Sequence, residues 1–110
     1  MPPHNKVAPF SNYGEWVSVS APGLKIYSTF PTYKVELSRY NISSNYGILS
    51  GTSMATPYVA GMAALILSKN PSLSRADLRK KIEQSTNDID VKGFDQFSGT
   101  GLIDASKAVK

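Results

Sequence analysis

The most apolar run of the chain is Tyr58–Leu67, ten residues with no charge among them. A bilayer-spanning helix needs about 20 such residues, so the run predicts a buried helix and no membrane span. With its flanks, the helix is expected from near Ser53 to about Lys69. Pro57 falls in or close to the first turn, where its missing N–H costs no intrahelical bond. Asn70-Pro71 stops the helix. Ala60, Gly61, Ala63 and Ala64 keep several of its faces small, so neighbours can pack closely on all sides and hold a side chain on it rigidly.

Upstream, the pattern shortens to strand-like segments. Lys6–Phe10 predicts a short strand, closed by the turn formers Ser11-Asn12-Tyr13-Gly14. Trp16–Ala21 is nearly continuously apolar, which suits a strand inside a parallel sheet covered on both faces. Pro22-Gly23 ends it. Leu24–Phe30 and Tyr46–Ser50 are expected as the arms of a hairpin, joined by the polar loop Pro31–Asn45. That loop carries Tyr33, Tyr40 and the sequon Asn41-Ile42-Ser43, a pattern common by chance.

Downstream, Ser74 is placed to cap a second helix, with Asp77 three residues on and Leu73 and Leu78 at staple positions. Leu78 and Ile82 form its buried stripe, while Arg75, Arg79, Lys80 and Glu83 face solvent. Ser85–Asp90 ends it, Gly93–Gly101 is an irregular turn-rich connection, and Asp104 caps a last short helix, Ala105–Val109.

Composition narrows the class without naming a chemistry. A chain of 110 residues fits one small domain, able to bury roughly 60–70% of its unfolded surface. With 41% hydrophobic and 18% charged residues, it has ordinary globular values. The net charge of +4 and pI near 9.4 invite a nucleic-acid reading. The excess is spread over surface-type positions, however, and its one cluster, Arg75, Arg79, Lys80 and Lys81, falls on the second helix as a solvated face. No nucleic-acid motif accompanies it. The absence of cysteine excludes disulfides and thiol catalysis but assigns no compartment. Residues 1–5 are a polar, Pro-rich end expected to be disordered, and no signal-peptide core follows them.

The candidate chemistry sits where the long helix begins. Gly51-Thr52-Ser53-Met54-Ala55-Thr56-Pro57 sets one hydroxyl between small residues. A serine that attacks an acyl carbon needs an exposed oxygen, close backbone approach by the substrate, and N–H donors aimed at the oxyanion. Gly51 and Ala55 leave room for that approach. The first N–H groups of a helix lack intrahelical partners and carry the positive end of its dipole, so the N–H of Ser53 itself is a candidate donor. The bland alternative is that Ser53 merely caps the helix.

The run from Gly51 through Tyr58-Val59-Ala60-Gly61 resembles the catalytic-serine motif of the subtilisin-like serine proteases (subtilases, peptidase S8). The flanks agree: Phe10-Ser11-Asn12-Tyr13-Gly14, Trp16–Gly23, Ile26-Tyr27-Ser28-Thr29 and Gly99-Thr100-Gly101-Leu102-Ile103-Asp104-Ala105 all look like family segments. The likeness extends from about Lys6 to Val109, and residues 1–110 resemble the C-terminal portion of the family's catalytic domain. It implies an α/β class: a partial three-layer subtilisin-like fold with mostly parallel strands, a hairpin, a central serine-bearing helix and C-terminal helices. It also implies peptide-bond hydrolysis with Ser53 as nucleophile, polypeptide substrates, and an extracellular or cell-envelope location.

The resemblance equally shows what is not here. The family's triad runs Asp, His, Ser along the chain, so both partners belong upstream of Ser53. That stretch contains no Asp, and its only carboxylates are Glu15 and Glu36. The single histidine, His4, lies in the polar end without the family's context and reads as a solvated residue. None of Asn5, Asn12, Asn41 or Asn45 matches the family's oxyanion asparagine. The partner implied is therefore the missing Asp- and His-bearing N-terminal part. Calcium is common in the family, but no carboxylate cluster here has ligand-like spacing, and no metal or cofactor is assigned. Where the family commonly has a histidine after the proline stands Tyr58, which keeps a ring and a hydrogen-bonding tip, and the loop Pro31–Asn45 looks longer than in the family.

Two other enzyme readings fail on the residues. The α/β-hydrolase elbow needs an acid and then a histidine after its serine, and no histidine follows Ser53. Gly99-Thr100-Gly101 lacks the third glycine of a dinucleotide site. A non-enzymatic reading stays open, in which the chain is a truncated or split subtilase segment that acts only as a folding or binding partner.

Overall fold

A computed structural model describes residues 6–37 and 45–110. His4, Tyr40 and the Asn41 sequon lie outside the described residues. Among the described residues the elements follow in the order β1 (Ile26–Thr29), β2 (Tyr46–Leu49), α1 (Thr52–Lys69), α2 (Arg75–Gln84), β3 (Thr86–Asn87), β4 (Leu102–Ile103) and α3 (Ala105–Ala108).

The core is built by one stripe of α1. Val59, Met62, Ala63 and Ile66 recur at helical spacing and pack with Ile82 of α2, Ala108 of α3, and Val19, Leu73, Leu78 and Ile103. Met62, Ile66, Ile82 and Ala108 are buried; each large one contributes roughly 1.5–3 kcal/mol of transfer free energy. The helix starts and stops as expected, with Asn70 at its C-cap, but Pro57 lies inside it in the second turn, where its missing N–H does cost one intrahelical bond. The expected all-round burial of Tyr58–Leu67 does not occur, since Tyr58 is 44% and Leu65 42% exposed. The described residues pack against one side of α1 only, so its opposite face has no cover.

Capping chemistry sets the other two helices. The Ser74 hydroxyl accepts the Asp77 N–H at 3.1 Å and begins α2. Asp104 accepts the N–H groups of Ser106 and Lys107 and begins α3, while the Asn87 amide donates to its other oxygen at 2.9 Å. Arg79 stays at the surface, but its guanidinium bridges Glu83 at 3.0 Å and Ser18 Oγ at 2.6 Å, tying α2 to the upstream segment.

The expected strands survive unevenly. β1 and β2 form the antiparallel hairpin in the register Ile26↔Leu49 through Thr29↔Tyr46. Lys6–Phe10 is a turn with no strand pairing. Trp16–Ala21 does not form a continuous strand either: its parallel pairing is the single bridge Ser20↔Leu102. Hydrogen bonds from Thr100 N–H to Ser18 O, Ser20 N–H to Gly101 O and Ile103 N–H to Ser20 O occupy one edge of it. Its other edge has no neighbour among the described residues, and Trp16 is 69% exposed. The fold is thus the expected partial α/β arrangement, but both named strand pairs, β1–β2 and β3–β4, are antiparallel. A parallel neighbour has to arrive by a long crossover, and the described residues supply only the Ser20 bridge.

The one-sided burial of α1 gives a paired expectation. Ile66→Ala should lower unfolding stability by about 2–5 kcal/mol through cavity formation. Gly61→Ala should raise it by up to about 1 kcal/mol, because a Cβ at Gly61 meets no atom within 4 Å. Chemical denaturation of the two variants checks both, and equal destabilisation would contradict this packing.

Acid should weaken the downstream corner. The Ser106 hydroxyl foremost, and then the Asn87 amide, hold the Asp104 carboxyl down to about 2. The Ser98 hydroxyl likewise holds Asp95 below the usual carboxylate range. Folded-state values lying below the unfolded value of about 3.9 give stability that is complete above about pH 5 and lost as pH falls through the folded values. Thermal melts should therefore drop between about pH 4 and about pH 2, and Asp104→Asn should flatten that slope.

Candidate active site

Two glycines position the serine. Gly51 is the N-cap of α1 at φ 153°, a backbone region that side chains disfavour. Its N–H donates to Gly23 O at 2.7 Å, and a Cβ on Gly23 would lie 2.8 Å from Gly51 O. The Pro22-Gly23 turn therefore sits directly on the start of the helix. Beside this contact the Ser50 hydroxyl accepts the Lys25 N–H at 2.8 Å, so the hairpin base and the helix N-terminus are locked together.

The four hydroxyls of this stretch have different fates. Ser50 is used by Lys25, and Thr56 Oγ1 donates to Thr52 O at 3.0 Å. Thr52 lines a large groove of about 1060 Å³ on the side of Trp16 and Val19. Ser53 lines a different groove, of about 480 Å³, between the hairpin and α1. Its side chain is exposed, and among the described residues its hydroxyl has no hydrogen-bond partner. Ser53 is not the N-cap, and α1 has no side-chain cap, so the capping alternative does not describe it.

The electrostatics of the helix end favour an anion. Met54 N–H is taken by Gly51 O at 3.0 Å, whereas the Ser53 N–H has no acceptor among the described residues. The first turn of α1 carries no acidic side chain, and Lys69 occupies the last turn. A negative charge forming beside Ser53 therefore meets an unpaired N–H and the positive end of the helix dipole.

Of the residues singled out with Ser53, Met54 and Pro57 line the same groove, and Gly51, Thr52, Ala55 and Thr56 line the larger one. Tyr58 joins the Ser53 groove, together with Tyr27, Phe30 and Leu37. The sequence placed the hairpin arms at Leu24–Phe30 and Tyr46–Ser50 but gave no sign that they would wall a groove, and nothing in it pointed to Leu37. Among the described residues no histidine or carboxylate lines this groove. Among the described residues no group of three or more His, Cys, Asp or Glu side chains gathers to hold a metal ion.

The subtilase family model matches residues 2–101. Subtilisin Savinase of Lederbergia lenta is 37% identical over 107 residues, covering 97% of this chain and 35% of that protein. Subtilisin DY of Bacillus licheniformis is 40% identical over 103 residues, or 94% and 32% of the two chains. Among solved structures, fervidolysin from Fervidobacterium pennivorans, a keratinolytic enzyme related to subtilisin, superposes with a TM-score of 0.82 at 34% identity, over 94% of this chain and 16% of that one. This chain belongs to the subtilase family. It spans about a third of the length of the two subtilisins it is compared with.

The glycine contact can be tested directly. Gly51→Ala should destabilise the chain by more than about 1 kcal/mol, because alanine cannot hold φ 153° without strain. Amide exchange should then show faster opening in the first turn of α1, and unchanged protection there would count against the contact.

Proposed function

We propose that this chain carries the nucleophile of a serine endopeptidase whose acid–base partners are supplied by an Asp- and His-bearing subtilase segment. The observation that carries the reading is the state of Ser53. Its hydroxyl lines the groove between hairpin and helix and, like that of Thr52 in the other groove, has no hydrogen-bond partner among the described residues, and it stands beside an unpaired N–H at the start of a helix.

The chemistry follows from that placement. Ser53 Oγ attacks the scissile carbonyl carbon while a histidine of the partner segment takes its proton. An aspartate of that segment orients the histidine and stabilises its charged form. The carbonyl oxygen, now an oxyanion, accepts from the Ser53 N–H. The C–N bond then breaks, the histidine returns the proton to the departing amine, and water releases the acyl group from Ser53. Polypeptides are the substrates, and an extracellular or cell-envelope setting fits the family.

A second reading is favoured by the lining of the groove, which among the described residues holds no base. In it the chain without its partner is an inert segment that folds with or binds to the rest of a subtilase. The exposed face of α1 and the free edge at Val17–Ala21 are consistent with such a role.

A serine-directed phosphonate and a chromogenic peptide separate the readings. The chain by itself should neither turn over peptide at protease-like rates nor label. With a His- and Asp-bearing subtilase segment present, Ser53 should label and turnover should appear, and Ser53→Ala should abolish both while shifting stability by less than about 1 kcal/mol. Labelling at Ser50, or activity retained in Ser53→Ala, would remove the nucleophile assignment. Absence of labelling in the reconstituted mixture would favour the inert segment.

A further inference from the structure

One side chain of α2 reaches the backbone on which the Ser53 site is built. Arg79 Nη2 donates to Ser18 Oγ at 2.6 Å, across 61 positions of the chain, while its Nε donates to Glu83 at 3.0 Å. The Glu83 bond holds the guanidinium along its own helix, so the planar fork loses little further freedom in reaching Ser18. A hydrogen bond with a charged donor is also shorter and stronger than a neutral one.

Ser18 opens a short run of backbone that ends on the start of α1. Ser18 O accepts the Thr100 N–H at 2.9 Å and the Thr100 hydroxyl at 3.3 Å. Ser20 bonds through its backbone to Gly101 and Ile103, and its hydroxyl donates to Ser98 O at 3.0 Å. The backbone of Val19 makes no hydrogen bond among the described residues, so the run is held from one side only. Beyond Ser20 the next bond is at Gly23 O, which takes the Gly51 N–H at 2.7 Å. Pro22 lies between, and its fixed φ leaves few torsions to absorb a shift at Ser18 before it arrives at Gly51.

We propose that Arg79 is a positioning residue for Ser53. Its bond to Ser18 holds the Ser18–Gly23 backbone and, through the contact of Gly23 with Gly51, the first turn of α1 in the place that the Ser53 N–H needs as oxyanion donor. Arg79 lines no part of the Ser53 groove, so it acts on the chemical step through donor geometry, which tolerates little displacement. The catalytic half of the inference rests on Ser53 being the nucleophile, and the coupling from Arg79 to Gly51 does not.

The coupling is read by NMR on the 110-residue chain. Arg79→Met should shift the amide signals of Gly23, Gly51 and Ser53 and speed exchange of the Gly51 N–H about tenfold, the equilibrium equivalent of one hydrogen bond from a charged donor. Ser18→Ala should do the same, and the double variant should do no more than either alone. Ser18→Thr, which keeps a hydroxyl, and Lys80→Met, an equal loss of charge one residue away, should leave Gly51 and Ser53 as in the parent. With a His- and Asp-bearing subtilase segment present, Arg79→Met should lower kcat and leave KM unchanged. Shifts confined to Ser18 and Thr100, additive effects of the two substitutions on Gly51, or a kcat equal to the parent's would overturn the proposal. A mixture inactive with the parent chain would remove the nucleophile reading and leave the coupling to be decided by the amide signals.

Discussion

The structure depends on the contact between Gly23 and Gly51. A 2.7 Å hydrogen bond between two backbones that approach too closely for a side chain fixes where α1 begins. The hairpin hangs from the same place, since Lys25 N–H bonds to Ser50 and the β1–β2 register starts one residue further on with Ile26↔Leu49. The groove between hairpin and helix is a consequence of these two elements sharing one anchor. Ser53, two residues past Gly51, is placed by that anchor and not by any bond of its own.

Helix α1 divides the molecule. Its Val59, Met62, Ala63 and Ile66 stripe holds α2, α3 and the Val19 segment in a small core. Its other side, with Gly61, Ala64 and Leu65, stays open to solvent. Four buried apolar residues among those described make a thin core, and the capping bonds of Ser74 and Asp104 therefore matter more than they would in a larger domain. Arg79 adds a link from α2 to Ser18, although an exposed ion pair of the Arg79–Glu83 kind contributes no more than about 1 kcal/mol.

The family membership and the local chemistry of Ser53 answer different questions. Similarity over nearly the whole chain assigns the fold family and brings with it the expectation of a serine nucleophile. The structure adds which hydroxyls of the stretch are already in use, because Ser50 and Thr56 are engaged within the fold and Thr52 borders the other groove. Catalysis asks for a group that is held in place by its neighbours yet keeps its reacting atom unbonded. Ser53 meets that description, and among the described residues no histidine or carboxylate lines its groove.

Local patterns were sufficient for the elements whose determinants lie within a few residues. The α1 span followed from an apolar run closed by Asn70-Pro71, the α2 cap from Ser74 and Asp77, and the α3 cap from Asp104, because capping is a contact over three residues or fewer. The hairpin arms were legible for the same reason. Trp16–Ala21 and Lys6–Phe10 were not, because a strand exists only through its neighbours, and apolar composition cannot say whether a neighbour is there. The family motif in the sequence singled out Ser53. Only the tertiary structure decided that its hydroxyl is left free while Ser50 and Thr56 are engaged, that Tyr27, Leu37 and Tyr58 meet around it, and that one face of α1 stays bare, since each of these is set by residues far apart in the chain.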